Sequence, residues 1–355
     1  MLSSPLPARL ARATIDLDEH HPTATDGQIA AVNLESARFA AWGRFARNPR
    51  SPEAADSVVN DERMTLQFLC DPRALDRLDM LAAQFASVDD SFCAALVQAQ
   101  VASLAHRFGE ARTHLARATS LGAPCETIDL HSLTIDQACG VNVNAVLAER
   151  RRRAVSGRLE DLVPLGAVLA DLEHFTEADA VYSQAFYTYE GLSPFPLAWV
   201  CFQLGMLWGE LVPVPDRSRA VFWYQHAVAY LSAYVRARVH LAEIHVSMHQ
   251  PRAAESLLLP ALVSGDPEVP WRLADVLTAQ ARLGEAEIHL QTARTGFEAL
   301  LGKHPLAFAD HAAEFYAGSG NDLKRALELA RANLANRPTR RALDQVRAIA
   351  ATITA

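Results

Sequence analysis

From residue 159 onward, large apolar and small residues recur along the chain in one repeating pattern. Each repeat has a large–small pair, an alanine about twelve residues later, a bulky residue four further on and a second alanine three after that, as in Leu165-Gly166, Ala178, Tyr182 and Ala185. Small residues at this spacing let two helices approach closely, while the bulky residue fills the seam beside them. Each repeat therefore predicts a helical hairpin, and its remaining apolar face requires a neighbouring hairpin to stack on it.

Four further repeats follow this pattern with local departures: the first of the four has extra residues between its helices, and the last lacks the large residue of the pair. They are Leu204-Gly205 with Ala220, Tyr224 and Ala227; Leu241-Ala242 with Ala254, Leu258 and Ala261; Leu273-Ala274 with Ala286, Leu290 and Ala293; and Ala312-Ala313 with Ala326 and Ala330. The stretch from Leu162 to Ala185 matches nearly every class of the tetratricopeptide-repeat (TPR) consensus, so the chain resembles TPR proteins. The resemblance implies an all-α fold, an α-solenoid in which stacked hairpins form a right-handed superhelix.

The pattern also predicts how the chain is divided. We expect an N-terminal helical segment of unassigned repeat status over residues 1–57, in which 27–46 form an amphipathic helix, a solenoid over 58–338, and a C-terminal capping helix over 339–355. A terminal helix of this kind shields the last hairpin from water. The predicted units are 58–91 and 125–158, both degenerate, and 92–124, 159–192, 198–234, 235–266, 267–305 and 306–338.

Charge sets an expectation about partners. The chain of 355 residues has 33 Lys and Arg against 41 Asp and Glu, a net charge of -8. This sign opposes that of a phosphate backbone, so we expect no nucleic acid partner. Lys303 and Lys324 are the only lysines, and such arginine-dominated usage suggests a GC-rich bacterial genome.

Cysteine usage and hydropathy bear on the compartment. The five cysteines are widely spaced and form no Cys-x-x-Cys pair, which favours a reducing compartment. No run of about 18 apolar residues occurs, and the N-terminus lacks the apolar segment of a signal peptide. We expect a soluble cytoplasmic protein with no membrane contact.

Motifs for catalysis and for cofactors are absent from the sequence: it has no G-x-S-x-G, no phosphate-binding glycine loop and no H-E-x-x-H. We therefore predict that the chain is not an enzyme and has no cofactor. His245 and His249 stand four residues apart on a predicted helix and could share a metal ion, but no further ligand is indicated, so no metal site is predicted. The run Arg150 to Arg153 points all round its helix and favours a solvated face or local acidic contacts over a phosphate site.

The resemblance to TPR proteins implies that ligands lie along a groove lined by the first helix of each hairpin. Carried over from the large–small alignment, the groove positions are Trp199, Phe202, Gln203, Met206, Glu210, Arg236, His240, Glu243, Ser247, Trp271, Arg272, Asp275, Asp310, His311 and Glu314. The family's carboxylate clamp depends on Lys and Asn at such positions; this chain has neither there, which disfavours chaperone tails as partners.

Two interpretations of these positions remain open. Pairs such as His240 with Glu243 can be ordinary helix-surface interactions worth about 0.2–0.5 kcal/mol. Alternatively, Glu243, Asp275 and Glu314 form an acidic stripe beside an aromatic patch of Trp199, Phe202 and Trp271. Such a stripe would favour a peptide with basic and apolar residues.

The leading hypothesis is a non-catalytic scaffold or adaptor that binds another protein or peptide in its groove. The alternative is a regulatory sensor that binds a small peptide or a metal ion. The sequence gives no indication of oligomeric state.

Overall fold

A computed structural model describes residues 21–354, and within this range the chain is helical with no strand. The first half contains α1 (Gly27–Arg47), α2 (Pro52–Met64), α3 (Arg73–Val88), α4 (Phe92–Leu104), α5 (Phe108–Ser120), α6 (Cys125–Cys139), α7 (Val143–Ala154), α8 (Leu159–Asp171) and α9 (Phe175–Tyr187). The second half contains α10 (Pro194–Met206), α11 (Arg217–Tyr230), α12 (Val235–Ser247), α13 (Pro251–Leu258), α14 (Glu268–Ala279), α15 (Leu283–Lys303), α16 (Pro305–Ala317), α17 (Leu323–Asn336) and α18 (Arg340–Thr354). Two π-helical turns, Thr65–Leu69 and Leu207–Leu211, follow α2 and α10, and a 3-10 turn, Leu259–Ser264, follows α13.

Consecutive helices pair as hairpins. The most extensive contacts join α10 to α11, α4 to α5, α14 to α15, α16 to α17, α8 to α9 and α12 to α13. The expected all-α fold of stacked helical hairpins is confirmed, and the chain is a helical-repeat protein of the α-solenoid class. Its resemblance to TPR proteins holds at the level of the hairpin.

Small residues account for the close packing within each hairpin. Ala178, Ala254 and Ala286 are buried, as their positions in the repeat predict. An ideal Cβ on Gly166 of α8 would lie 2.5 Å from the ring of Tyr182 on α9. Only a residue without a side chain leaves room for this aromatic ring, which explains the large–small pairing in the sequence.

Helix starts differ from the predicted units at two points. Helix α10 begins at Pro194 rather than near residue 198, because proline at the first helical position has no N–H left unsatisfied. Helix α2 begins at Pro52, where the Ser51 hydroxyl accepts the backbone N–H of Ala54. The division into repeat units itself stays a prediction.

The chain forms two compact units. One contains residues 143–232 with the described residues 21–30, and its core is made by the hairpins α8–α9 and α10–α11. In it, the Tyr230 hydroxyl donates to the carbonyl of Pro22 over 2.9 Å. This bond ties the segment before α1 to the end of α11.

The other unit contains residues 31–142 and 233–354, so it joins segments far apart in the sequence. Asp76 of α3 accepts from Lys303 over 2.6 Å and contacts His304 at 3.0 Å. At the last residue of α17, Asn336 donates its side-chain N–H to the carbonyl of His106. The repeat pattern, which predicts only neighbour-to-neighbour contacts, gives no sign of this pairing.

Candidate functional site

In the second unit, three hairpins have first helices with charged residues at matching positions; these helices are α12, α14 and α16. Each has a basic or imidazole residue followed three residues later by an acid: His240 and Glu243, Arg272 and Asp275, His311 and Glu314. Residues three apart on a helix lie on the same side.

Arg272 lies at the centre of this group. Its Nη2 atom is 2.7 Å from Glu243 Oε1, 2.9 Å from Glu314 Oε1 and 3.7 Å from Glu268 Oε1. Burial lowers the pKa of Arg272, but the carboxylates of Glu243, Glu268 and Glu314 outweigh burial and raise it. One guanidinium therefore links carboxylates from three successive hairpins.

A second charged pair lies beside Arg272. His311 Nδ1 is 3.3 Å from Glu268 Oε2. Burial lowers the pKa of His311, but Glu268 and Asp310 outweigh burial and raise it to about 9. The positive charge of His311 in turn helps to keep the pKa of Glu268 below its usual range. At neutral pH this imidazole is protonated and the pair is ionic.

Asp275 belongs to a different network. Its Oδ1 atom accepts from the Ser319 hydroxyl over 2.5 Å, and the same hydroxyl accepts the indole N–H of Trp271 over 3.2 Å. Burial raises the pKa of Asp275, with a partial offset from Ser319 and Arg272. Neutral donors thus orient this carboxylate without supplying a compensating charge.

A cavity of about 220 Å³ opens between α12 and α14 next to these groups. It is lined by three charged residues and by aliphatic ones: Glu243, Arg272 and Asp275, with Ala242, Val246, Leu258 and Val276. The cavity combines two carboxylates and one guanidinium with an apolar wall, and because Arg272 already pairs with Glu243, the lining suits an aliphatic chain with a cationic head.

Two of the three rings of the predicted aromatic patch are buried. Phe202 and Trp271 are 7% and 2% exposed and lie in hydrophobic cores. The Trp271 ring packs edge-on against Phe297 and Phe315. These two rings stabilise hairpins and cannot anchor a ligand, because core packing already covers their faces. Trp199 is half-buried.

The acidic stripe is also only partly as expected. The structure brings Glu243 and Glu314 together, but through Arg272, which neutralises much of their charge. Among residues 21–354, Asp275 is the one of these three acids with no charged partner within ion-pair distance.

The remaining predicted groove residues fall in two groups. In the first unit, Gln203 and Glu210 accept hydrogen bonds from the hydroxyls of Tyr182 and Tyr224, at 3.4 Å and 3.1 Å, and Met206 is half-buried. These contacts join α10 and its π-helical turn to neighbouring helices.

In the second unit, Arg236 and Ser247 are exposed, and Arg236 lies near the buried thiol of Cys70. His240 Nδ1 is 3.6 Å from Glu243, and the carboxylate of Asp310 is 3.6 Å from Arg337.

Sequence reasoning missed Glu268 and Asp266. Glu268 is 7% exposed and interacts with Arg272 and His311, while burial and the charge of Glu268 raise the pKa of Asp266 to about 6. Asp266 lies in the turn Gly265-Asp266-Pro267, and Glu268 is the first residue of α14. Acids are common in a first helical turn, so their position gave no reason to expect a site.

Two other candidate sites have structural roles. Arg151 pairs with Glu177 at 2.9 Å, and Arg152 and Arg153 both pair with Glu149. Local acidic contacts therefore account for these members of the arginine run, as favoured above. His245 Nδ1 contacts Gln250 at 2.7 Å. Within residues 21–354, no group of three or more His, Cys, Asp or Glu residues is placed to hold a metal ion.

Within the same range, every helix is too short or too polar to cross a membrane. A scan against protein-family models gives no match, and a search of curated proteins gives none either.

Solved structures do show similarity to the chain. The APC/C hetero-tetramer Cut9-Hcn1 has 14% identity and a TM-score of 0.44, over 91% of this chain and 74% of that one. Human IFIT1 with m7Gppp-AAAA has 15% identity and a TM-score of 0.39, over 88% of this chain and 74% of that one. The C-terminal part of a TPR repeat-containing protein from Cytophaga hutchinsonii has 13% identity and a TM-score of 0.34, over 83% of this chain and 99% of that one.

The expectation that excluded nucleic acid is wrong. Structures similar to this chain contain capped or triphosphate RNA, m7Gppp-AAAA in one case and PPP-AAAA in another. The prediction rested on the net charge of the whole chain, whereas phosphate binding depends on local groups of basic side chains. A net charge of -8 therefore excludes no class of partner.

Proposed function

We propose that this helical-repeat protein is a non-catalytic interaction scaffold, and that the cavity between α12 and α14 binds a basic side chain of a partner protein. The observation that carries the proposal is the composition of the cavity wall, where Glu243 and Asp275 lie beside four aliphatic side chains.

The charges favour a cation. Arg272 already pairs with Glu243 and Glu314, so its positive charge is largely used within the protein. In the described part of the chain, the donor at hydrogen-bond distance from Asp275 is the neutral hydroxyl of Ser319. A lysine or arginine head group entering the cavity would form a charge-assisted hydrogen bond with this carboxylate.

The apolar wall favours a long side chain. Val246, Leu258 and Val276 would cover the methylene groups of lysine or arginine, because such side chains bury their stems while their charged ends remain at polar groups. The wall also disfavours a small hydrated inorganic cation, which requires several oxygen ligands.

The wider groove supplies further contacts. We propose that a partner segment continues along α14 and α16 past Asp310, His311 and Glu314, whose side chains are half-buried or exposed. Peptide segments in grooves gain specificity from such side-chain positions. The cytoplasmic location remains part of this proposal and rests on the five cysteines, which are all free thiols.

The experiment uses peptides selected from a random library on the full chain, with affinity measured by fluorescence anisotropy. Replacing the anchoring lysine of a peptide by norleucine keeps the stem and removes the charge. We expect affinity to fall about tenfold or more, as for a hydrogen bond to a charged group. Asp275→Asn should cause a similar loss, and the two changes together should cost little more than one.

Glu287→Gln is the matched control, since it removes an exposed carboxylate on α15 outside the cavity. It should leave affinity unchanged. Selected peptides that bind Asp275→Asn as tightly as the wild type, or that tolerate norleucine at every basic position, would contradict the proposed site.

A further inference from the structure

Helix α1 has two apolar faces on opposite sides. One face packs into the protein through Leu34, Ala41 and Phe45, all buried. The opposite face exposes Val32 and Phe39, at 62% and 61% of their surface. With 3.6 residues per turn, positions 32, 36, 39, 40 and 43 fall on this second stripe, and Ile29 in the first turn extends it.

The stripe contains large and small residues in a definite order. Its charge-free positions are Ile29, Val32, Ser36, Phe39, Ala40 and Gly43. We call this set the α1 stripe. Large residues dominate its first half and small residues its second half. Single exposed apolar residues are ordinary on protein surfaces, but a continuous stripe along one helix is typical of an interface.

Gly43 is unexplained by the protein's own packing. Among the described residues, a Cβ at this position would meet only the guanidinium of Arg47, at 3.7 Å. Glycine in a helix interior costs about 1 kcal/mol relative to alanine, so an alanine would fit and would favour the helix. Gly43 is half-buried, and a missing side chain at this helical position suits the close approach of another helix from outside.

We propose that the α1 stripe binds the α1 stripe of a second copy of this chain, with the two helices antiparallel. In this arrangement Val32 lies opposite Gly43 of the partner subunit, and Phe39 lies opposite Ser36 of the partner subunit. The twofold axis repeats both contacts. Large residues then fill the spaces left by small ones along the whole stripe.

Charges at the two ends of α1 favour the same orientation. Asp26 precedes the helix and accepts the backbone N–H groups of Gln28 and Ile29. Arg44 and Arg47 lie in the last turn, and Arg47 has no ion-pair partner among the described residues. Antiparallel pairing places Asp26 near Arg47 of the partner subunit at both ends, and it also opposes the two helix dipoles.

The size of the contact sets its strength. A helix of 21 residues is about 31 Å long, and one helix pair buries less than the roughly 800 Å² per partner of a standard interface. We therefore expect a weak dimer whose population rises with protein concentration.

The test measures the mass of the full chain by sedimentation velocity over a series of rising concentrations. The wild type should shift from monomer to dimer, and Phe39→Glu should remain monomeric at every concentration. The matched control is Ile288→Glu on α15, where the isoleucine is 66% exposed; this variant should dimerise like the wild type.

The Gly43→Leu variant distinguishes a shape-complementary interface from non-specific hydrophobic association. It adds exposed apolar surface and favours the helix, so non-specific association would become stronger. The proposal expects the reverse, at least tenfold weaker dimerisation, because the leucine occupies the space of Val32 of the partner subunit. Asp26→Asn keeps the helix cap and should weaken the dimer severalfold, with no further loss when combined with Arg47→Gln. A wild type that stays monomeric throughout, or a Gly43→Leu variant that dimerises as tightly as the wild type, would overturn the proposal.

Discussion

The contact between Gly166 and Tyr182 offers a direct test of the hairpin packing. A Cβ on Gly166 would lie 2.5 Å from Tyr182 Cε1, 2.7 Å from Cδ1 and 2.8 Å from Cζ. Real Cβ atoms do not approach a ring so closely, so Gly166→Ala forces a shift. Tyr182 is 1% exposed, and its ring has little room to move.

Two effects of opposite sign decide the result. Alanine favours a helix over glycine by about 1 kcal/mol. Overpacking a dense core costs about 1–3 kcal/mol, and three ring carbons within the forbidden distance place this case in the upper part of that range. We expect Gly166→Ala to lower the free energy of unfolding by about 1–2 kcal/mol.

Urea unfolding followed by circular dichroism measures this difference. Gly109→Ala on α5 is the control, since nothing lies within 4 Å of its added Cβ; it should be neutral or stabilising by up to about 1 kcal/mol. In a Tyr182→Leu background, where the ring is gone, Gly166→Ala should lose its cost. A Gly166→Ala variant as stable as the wild type would refute the reasoning.

Two further predictions concern buried charges. Glu62 is fully buried and accepts two hydrogen bonds from Arg77, at 2.7 Å and 2.6 Å. Glu62→Gln should therefore lower the free energy of unfolding by roughly 3 kcal/mol, near the lower end for a broken buried pair, because Arg77 still pairs with Asp71. A loss under about 1 kcal/mol in urea unfolding would contradict this. The pKa of His311 is raised to about 9, so its charge stabilises the fold below the unfolded pKa of about 6.5 and the effect is lost as pH rises through 9. His311→Gln should therefore be less stable than the wild type at pH 6, and the difference should shrink by about pH 10; a gap that is independent of pH would count against the pairing with Glu268.

Local repeats made the hairpins predictable. The burial of Ala178, Ala254 and Ala286 follows from spacing within a few turns of helix, since each alanine contacts a helix close to it in the sequence. The acidic partner of Arg152 and Arg153 was predictable for the same reason, because Glu149 lies within four residues of both, whereas Glu177, the partner of Arg151, lies on another helix.

The candidate site was only partly predictable. The sequence places His240, Arg272 and His311 at equivalent positions, each three residues before an acid, but it does not say which acid each one pairs with. Arg272 pairs across helices, with Glu243 and Glu314, rather than with Asp275 on its own helix. A repeat alignment cannot supply this choice, because side-chain direction and inter-helix distance set it.

Trp271 shows the same limit for apolar residues. Its position in the repeat suggested an exposed anchor, yet its ring packs edge-on against Phe297 and Phe315 of the following helices. Burial of a large aromatic side chain depends on the residues that surround it, and those lie up to 44 residues further along the chain.

The sequence by itself determined that the chain folds into paired helices, because a hairpin needs only small residues at fixed short spacing. Tertiary structure alone decided that residues 31–142 and 233–354 form one compact unit, joined by contacts such as that between Asp76 and Lys303, which are 227 residues apart. It also decided which carboxylates share Arg272 and that, within residues 21–354, Val32 and Phe39 of α1 remain exposed. Repeats specify contacts between neighbours, whereas contacts between distant segments depend on small rotations that add up over many hairpins.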